Sequence, residues 1–158
     1  MKIGYILPLL IISSSLFACS NNQIQIIGKP ASDNLQGALN RDSMKLKIKI
    51  GTHVFTATLY DNATATAFKT KLPMTINMIE LNGNEKYFDL PDNLPANASN
   101  PGTIQTGDLM LYGSKTLVVF YKTFSTSYSY TRLGRIDNPS GLAAALGSGS
   151  VTVSFEME

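Results

Sequence analysis

Apolar and polar residues alternate along much of the chain from residue 44 onward. Residues 45–50 show the pattern most clearly, because lysines separate Leu46, Ile48 and Ile50. Successive side chains of a β-strand point to opposite faces, so this alternation predicts a strand with one buried and one solvated face. We interpret the lysine row as an ordinary solvated face, with an anion-binding surface as the less common alternative.

Further alternating segments follow, separated by turns such as Asn82-Gly83-Asn84, in which Asn and Gly accept a positive φ. Strands are predicted at residues 45–50, 53–60, 75–80, 85–90, 107–112, 116–121, 128–136 and 151–157. The segment 128–136 is expected to carry Tyr128, Tyr130 and Arg132 on one strand face, and residues 91–103 are expected to form a surface loop.

Two short helices interrupt the strands. Asp61-Asn62 is a helix start signal, and Pro73 limits the helix that begins at Ala63. A second helix is predicted at 142–146, where Gly147 closes it. About eight strands with two helices indicate a mainly β domain, which is either a closed barrel or a two-layer sandwich.

The N-terminus has the features of a secretory signal. Lys2 precedes a short apolar run at 3–12, and Leu16-Phe17-Ala18-Cys19 resembles a bacterial lipobox. The run is shorter than the roughly 20 residues of a membrane span. The sequence therefore predicts a signal peptide at 1–18, lipid attachment at Cys19, a flexible tether at 19–43 and a domain at 44–158. Ser20 in place of an acidic residue favours the outer over the inner membrane of a bacterial envelope.

Composition excludes several function classes. The chain has 158 residues and a net charge of +2, which argues against a general nucleic-acid binder. One Cys and one His exclude an internal disulfide framework and a zinc site built from several such ligands. No metal or cofactor is expected, and the predicted partners are a membrane, through the lipid, and a peptide or small molecule.

Several segments in order resemble a cyclophilin-like family of bacterial domains. The resemblance lies in residues 56–65, Leu72-Pro73, 83–86, Leu90-Pro91, 107–109, 120–122 and 133–136, and it covers 45–157. It implies a closed eight-stranded barrel capped by two helices, in a family largely without assigned activity. The predicted fold class is therefore a mainly β, cyclophilin-like barrel.

True cyclophilins are peptidyl-prolyl isomerases, but the motifs of their active groove are not found here. The chain has no Trp, no Phe-His pair beside an Arg, and no Gln before a Phe pair. Since a fold does not carry a function without its site, a non-catalytic binding module is the main hypothesis. A diverged prolyl isomerase is the alternative.

The candidate binding residues are aromatic, basic or acidic side chains of the kind that binding surfaces enrich. They are Tyr121, Tyr128, Tyr130, Arg132, Arg135 and Glu85. The alternative is that the tyrosines cover apolar surface and the arginines are solvated. Glu85 and Lys86 are either an acid and base or, more commonly, an exposed hairpin shoulder, and Glu85 with an arginine is also a possible enzyme site. No residue is predicted to be catalytic.

Overall fold

The structure is a computed structural model that describes residues 44–158. The predicted signal peptide, Cys19 and the tether lie outside the described residues.

The described chain contains ten strands and two helices. In chain order they are β1 (Lys45–Ile50), β2 (His53–Leu59), α1 (Ala63–Lys69), β3 (Met74–Leu81), β4 (Glu85–Asp89), β5 (Thr103–Ile104), β6 (Asp108–Tyr112), β7 (Thr116–Phe120), β8 (Phe124–Ser125), β9 (Thr131–Ile136), α2 (Leu142–Leu146) and β10 (Val151–Met157).

Eight of these strands form a closed antiparallel barrel in the order β1-β10-β3-β4-β7-β6-β9-β2. Closure pairs both edges of every barrel strand, which removes the exposed edges that an open sheet leaves. The predicted barrel is confirmed, and the sandwich alternative is wrong. The short strands β5 and β8 pair with each other outside the barrel. Strand β5 begins at the last residue of the predicted loop 91–103, and no element was predicted at the position of β8.

The apolar side chains pack in two places. The inner core fills the barrel and includes Leu46, Ile48 and Ile50, as the alternation predicted. The outer cluster lies on the outside of β6 and β7 and consists of Ile104, Met110, Val118, Phe120 and Tyr130. The two strands are therefore covered on both faces, which explains why residues 117–120 are all buried.

Both helices form close to their predicted positions. The side chain of Asn62 accepts a hydrogen bond from the Ala65 backbone N–H at 2.9 Å and so caps α1. Phe68 of α1 packs edge-on against Phe155, with ring centroids 6.2 Å apart. The second helix ends at Gly147, whose φ of 62° suits glycine.

The lysine row of β1 is an ion-paired outer face. Lys45 binds Asp137 at 2.7 Å, and Lys47 and Lys49 both bind Glu156 at 2.9 Å. Each lysine of this row is thus already ion-paired with a neighbouring carboxylate, which favours the interpretation as a solvated face.

The predicted strand at 128–136 is wrong over residues 128–130. Strand β9 begins only at Thr131, and the ladder between β6 and β9 changes register at Leu109/Met110. Tyr130 makes one isolated bridge to Ser99 instead. Tyr130 is therefore buried against the outer cluster, whereas Arg132, which stands opposite Met110 of that cluster in the ladder, is exposed.

Candidate functional site

A groove lies on the outside of the barrel. It has a volume of about 540 Å³ and is formed by the outer faces of β4, β6 and β7 and by the segment 124–130. We call it the tyrosine groove. Its principal lining residues are Asn84, Glu85, Tyr87, Asp89, Tyr112, Phe124, Tyr128 and Tyr130.

Period-two alternation explains how β4 supplies this surface. Glu85, Tyr87 and Asp89 lie on one face of the strand, and they stand opposite Phe120, Val118 and Thr116 of β7 in the ladder. Phe120 and Val118 belong to the outer cluster, so this face of β4 points out of the barrel and into the groove.

Aromatic rings form the wall opposite β4. The Tyr112 ring centroid lies 6.2 Å from that of Tyr128 and 5.6 Å from that of Tyr130. Tyr130 also packs edge-on against Phe120 at 5.5 Å, which fixes its ring to the outer cluster. Tyr128 is 62% exposed and Tyr112 is 48% exposed, so two large rings remain uncovered at the rim.

Glu85 is the buried carboxyl group of the groove. Only 8% of the residue is exposed, and no side chain of residues 44–158 pairs with it or donates a hydrogen bond to it. Burial raises the pKa of Glu85 to about 7, and the nearby negative charge of Glu80 adds to the effect. The expectation that Glu85 and Lys86 form an exposed hairpin shoulder is therefore wrong.

Asn84, the residue before Glu85, also lines the groove. Its side-chain Oδ1 is buried and has no hydrogen-bond partner among the described residues. Buried polar atoms normally find partners, so such an atom in a groove marks a place where a ligand or water can donate. Its backbone carbonyl is already used, because it accepts from the Tyr121 N–H at 2.9 Å.

Lys86 points the other way, toward the barrel interior. It stands opposite Val119 of the inner core, and none of the residue is exposed. Its ammonium group pairs with Glu80 and donates to the carbonyls of Gly147 at 2.8 Å and Gly149 at 2.6 Å. Glu85 and Lys86 thus project to opposite sides of β4 and do not form an acid and base pair.

Tyr121 belongs to this interior network and not to the groove, contrary to the expectation. Its hydroxyl donates to Glu80 Oε1 at 2.8 Å, and its ring centroid lies 5.5 Å from the Lys86 ammonium. Burial and the hydrogen bond to Glu80 raise the pKa of Tyr121 to about 12. Although burial alone raises the pKa of Glu80, hydrogen bonds from Lys86, Tyr121 and the Gly83 N–H lower it below its usual value.

The two arginines also lie away from the tyrosine groove. Arg132 lines a second, smaller cavity of about 330 Å³ together with Asn62 and Asn97. Arg135 is half exposed, and its Nε lies 3.8 Å from Asp108 Oδ1. The side chains lining the tyrosine groove include neither Lys nor Arg, so an enzyme site built from Glu85 and an arginine is not present there.

The structure therefore brings together three of the six candidate residues, Glu85, Tyr128 and Tyr130. Sequence reasoning missed Asn84, Tyr87, Tyr112 and Phe124. Tyr87 could have been predicted from the sequence, because it lies two residues after Glu85 on the same strand face. Tyr112 and Phe124 gave no such signal, since only the fold brings them beside β4.

None of the helices in residues 44–158 is long and apolar enough to cross a membrane. Within the same residues, no group of three or more His, Cys, Asp or Glu side chains is placed to hold a metal ion.

Comparisons with known proteins place the chain in a family. No curated protein matches it significantly. The solution structure of the hypothetical protein AF2241 from Archaeoglobus fulgidus is similar in fold, with a TM-score of 0.52, 19% sequence identity, and coverage of 73% of this chain and 95% of that one. The sequence profile described as the cyclophilin-like family matches residues 48–156, and the chain accordingly belongs to the cyclophilin-like family.

Proposed function

We propose that this protein is a lipid-anchored binding module of the bacterial envelope, whose tyrosine groove holds a peptide or small molecule without transforming it. The observation that carries the proposal is the groove itself. It combines exposed aromatic rings with the carboxyl group of the largely buried Glu85, which has no partner among residues 44–158, and Asn84 of its lining also has a buried Oδ1 without a partner in those residues. Ligand sites typically combine apolar walls with a few convergent polar groups in this way.

The size of the groove supports a ligand of a few residues. A volume of about 540 Å³ lies within the range of roughly 300–1,000 Å³ that is common for ligand sites. The rings of Tyr112 and Tyr128 stand where they can cover such a ligand. Tyrosine gives large contact area at a low cost in side-chain entropy, because only two χ angles are fixed.

Selection from a library of random linear peptides tests the binding role. The full chain, in a non-ionic detergent, is the bait, and selected peptides are then measured against variants. Tyr128→Ala is expected to weaken binding about ten-fold or more, since exposed aromatic anchors dominate interfaces. Tyr60→Ala is the matched control, because Tyr60 is 36% exposed but does not line the groove. Equal effects of the two variants would contradict the proposal.

The envelope location rests on the lipobox-like Leu16-Phe17-Ala18-Cys19, which falls on the single Cys of the chain. Mass spectrometry of the full chain expressed in a bacterial host is expected to show a mature protein that begins at Cys19 and carries acyl chains. The Cys19→Ala variant is expected to lose them. A mature protein that keeps Met1 and has no lipid would refute the anchor.

Absence of catalysis is the third part of the proposal, and it is supported by the groove having neither Lys nor Arg among its lining side chains. Prolyl isomerisation has a barrier of about 18–20 kcal/mol, which true cyclophilins lower with an arginine. In a protease-coupled proline-peptide assay we expect only the uncatalysed rate. A rate enhancement that falls with Tyr128→Ala would favour the alternative of a diverged isomerase.

A further inference from the structure

We infer that the tyrosine groove selects a cationic group, an ammonium or a guanidinium, with Glu85 as its counter-ion and tyrosine rings around it. The inference rests on the proposed binding function and names the class of ligand. The cation is supplied either by a lysine or arginine side chain of a peptide or by a free amine.

The first argument is the charge of the groove. Its charged lining residues among those described are Glu85 and Asp89, both acidic. Asp89 accepts a hydrogen bond from Thr116 Oγ1 at 2.6 Å and is otherwise exposed, whereas Glu85 is more than nine-tenths buried and has no cationic partner in residues 44–158. A buried carboxylate is normally paired, so the missing partner indicates that a ligand supplies the positive charge.

The second argument is the balance of donors and acceptors. The two oxygens of the Glu85 carboxylate receive no hydrogen bond from the described residues. A ligand that satisfies both oxygens must donate from more than one N–H. Ammonium and guanidinium groups carry several donors and no acceptor, so they fit this carboxylate, whereas a carboxylate or phosphate ligand does not.

The third argument is the aromatic surround. Tyr87, Tyr112, Tyr128 and Tyr130 line the same space as Glu85. The face of an aromatic ring attracts a cation within about 6 Å of its centroid. The fold uses the same interaction inside the barrel, where the Lys86 ammonium lies 5.5 Å from the Tyr121 ring centroid.

The surroundings of Glu85 also make the binding depend on pH. The ionisable groups near it are Glu80 from β3, Tyr121 after β7 and Tyr130 from the segment before β9, while its neighbour Lys86 points into the barrel. In the free protein, burial and the charge of Glu80 raise the pKa of Glu85 to about 7. A cation binds the ionised form, so its affinity is expected to rise between about pH 6 and pH 8 and to level off above.

The test titrates the full chain, in a non-ionic detergent, with blocked five-residue peptides that differ only at a central Arg, Lys, Gln or Glu, and with butylammonium as the free amine. Backbone amide NMR shifts report the binding. We expect the Arg and Lys peptides to shift the groove residues and to bind at least about ten-fold more tightly than the Gln and Glu peptides, since a charge-assisted hydrogen bond is roughly twice as strong as a neutral one. Butylammonium binding as tightly as the Lys peptide would identify a free amine as a sufficient ligand, and weaker binding would identify a peptide.

Glu85→Gln keeps the shape of the side chain and removes its charge. We expect this variant to lose the preference for Arg and Lys and the dependence on pH, while its NMR spectrum retains the folded dispersion. Asp92→Asn is the matched control, because Asp92 pairs with Lys71 on the surface outside the groove. If the Arg and Gln peptides bind equally, or if Glu85→Gln keeps the preference, the inference is overturned while the binding role stands. If neither these probes nor the library peptides bind the groove, both are overturned.

Discussion

At the scale of single residues, the Glu85 side chain is expected to lower the stability of the protein when no ligand is bound. Its carboxyl group lies in a groove where burial disfavours the charge. In the unfolded chain the same group is solvated and ionises near its usual pKa of 4.5. The folded state therefore holds a proton between about pH 4.5 and pH 7 that the unfolded state has lost. Retaining such a group is consistent with a binding role, because functional sites keep residues that are unfavourable for folding.

The free energy of unfolding should thus fall as the pH rises through this window. Below pH 4.5 Glu85 is protonated in both states and contributes no difference, and above about pH 7 the full penalty, on the order of 3 kcal/mol, is present. Glu85→Gln is expected to remove this slope, so that the variant is more stable than the wild type at pH 8 and similar to it at pH 4. Urea unfolding at several pH values measures the difference. An unchanged slope in the variant, with Asp92→Asn as the control, would show that Glu85 is not buried in this way.

Lys86, unlike Glu85, is expected to stabilise the folded state, because its charge is paired within the barrel. Lys86→Met keeps the length of the side chain but leaves Glu80 and the carbonyls of Gly147 and Gly149 without their donor. We expect a loss of about 3 kcal/mol in the free energy of unfolding, as for other buried pairs that lose one partner. Lys71→Met, which breaks the surface pair with Asp92, is the control and should cost less than about 1 kcal/mol. Similar losses in the two variants would contradict the buried network.

At the scale of the elements, β9 lies close against β2 at Gly134. A Cβ atom there would lie 2.7 Å from the Thr58 carbonyl oxygen and 3.0 Å from the Leu59 Cα. These are backbone atoms of a paired strand, so the strand and not a flexible side chain would have to move. Gly134 is therefore required by the packing of the barrel wall.

Gly134→Ala is expected to lower the free energy of unfolding by roughly 1–3 kcal/mol, which is typical of overpacking. Gly149→Ala is the matched control, because a Cβ there meets nothing within 4 Å. Urea unfolding of both variants gives the comparison. A Gly134→Ala protein as stable as the control would mean that β2 and β9 are further apart than described.

The elements also show where alternation stops predicting structure. It identified β1 and β2 and their buried faces, because each has the inner core on one side and solvent on the other. It failed at 128–130, because the ladder with β6, which contains a register shift, ends at Thr131 and the preceding residue Tyr130 packs on the outer cluster. Such a shift depends on the neighbouring strand, so the local sequence carries no sign of it.

At the scale of the whole molecule, the barrel and its two apolar clusters are complete within the described residues. Every barrel strand pairs with two others from this set, and the inner core and outer cluster are both formed from it. We therefore expect residues 44–158 to fold as one cooperative unit when produced alone.

Urea unfolding of that fragment, followed by near-UV and far-UV circular dichroism, should give coincident transitions. The outer cluster is joined to the inner core through the shared strands β6 and β7, so the two are expected to unfold together. Transitions that separate would show that the segment over the outer cluster unfolds independently of the barrel.

The sequence by itself determined the class of the fold, the apolar faces of the strands, both helix positions and the resemblance to cyclophilin-like domains. These depend on the local periodicity of side chains and on short turn and cap signals, which neighbouring residues specify. It also supplied three of the groove residues, Glu85, Tyr128 and Tyr130, by their chemical type.

Only the tertiary structure decided which side chains meet. The separation of Glu85 from Lys86, the burial of Tyr121 and the placement of Tyr112 beside Tyr128 all depend on strands and segments that are distant along the chain. The side chain of a strand residue has a face that alternation can assign, but what covers that face is set by the order in which the strands close the barrel. For that reason the unpartnered carboxyl group of Glu85 was not recognisable before the fold was known.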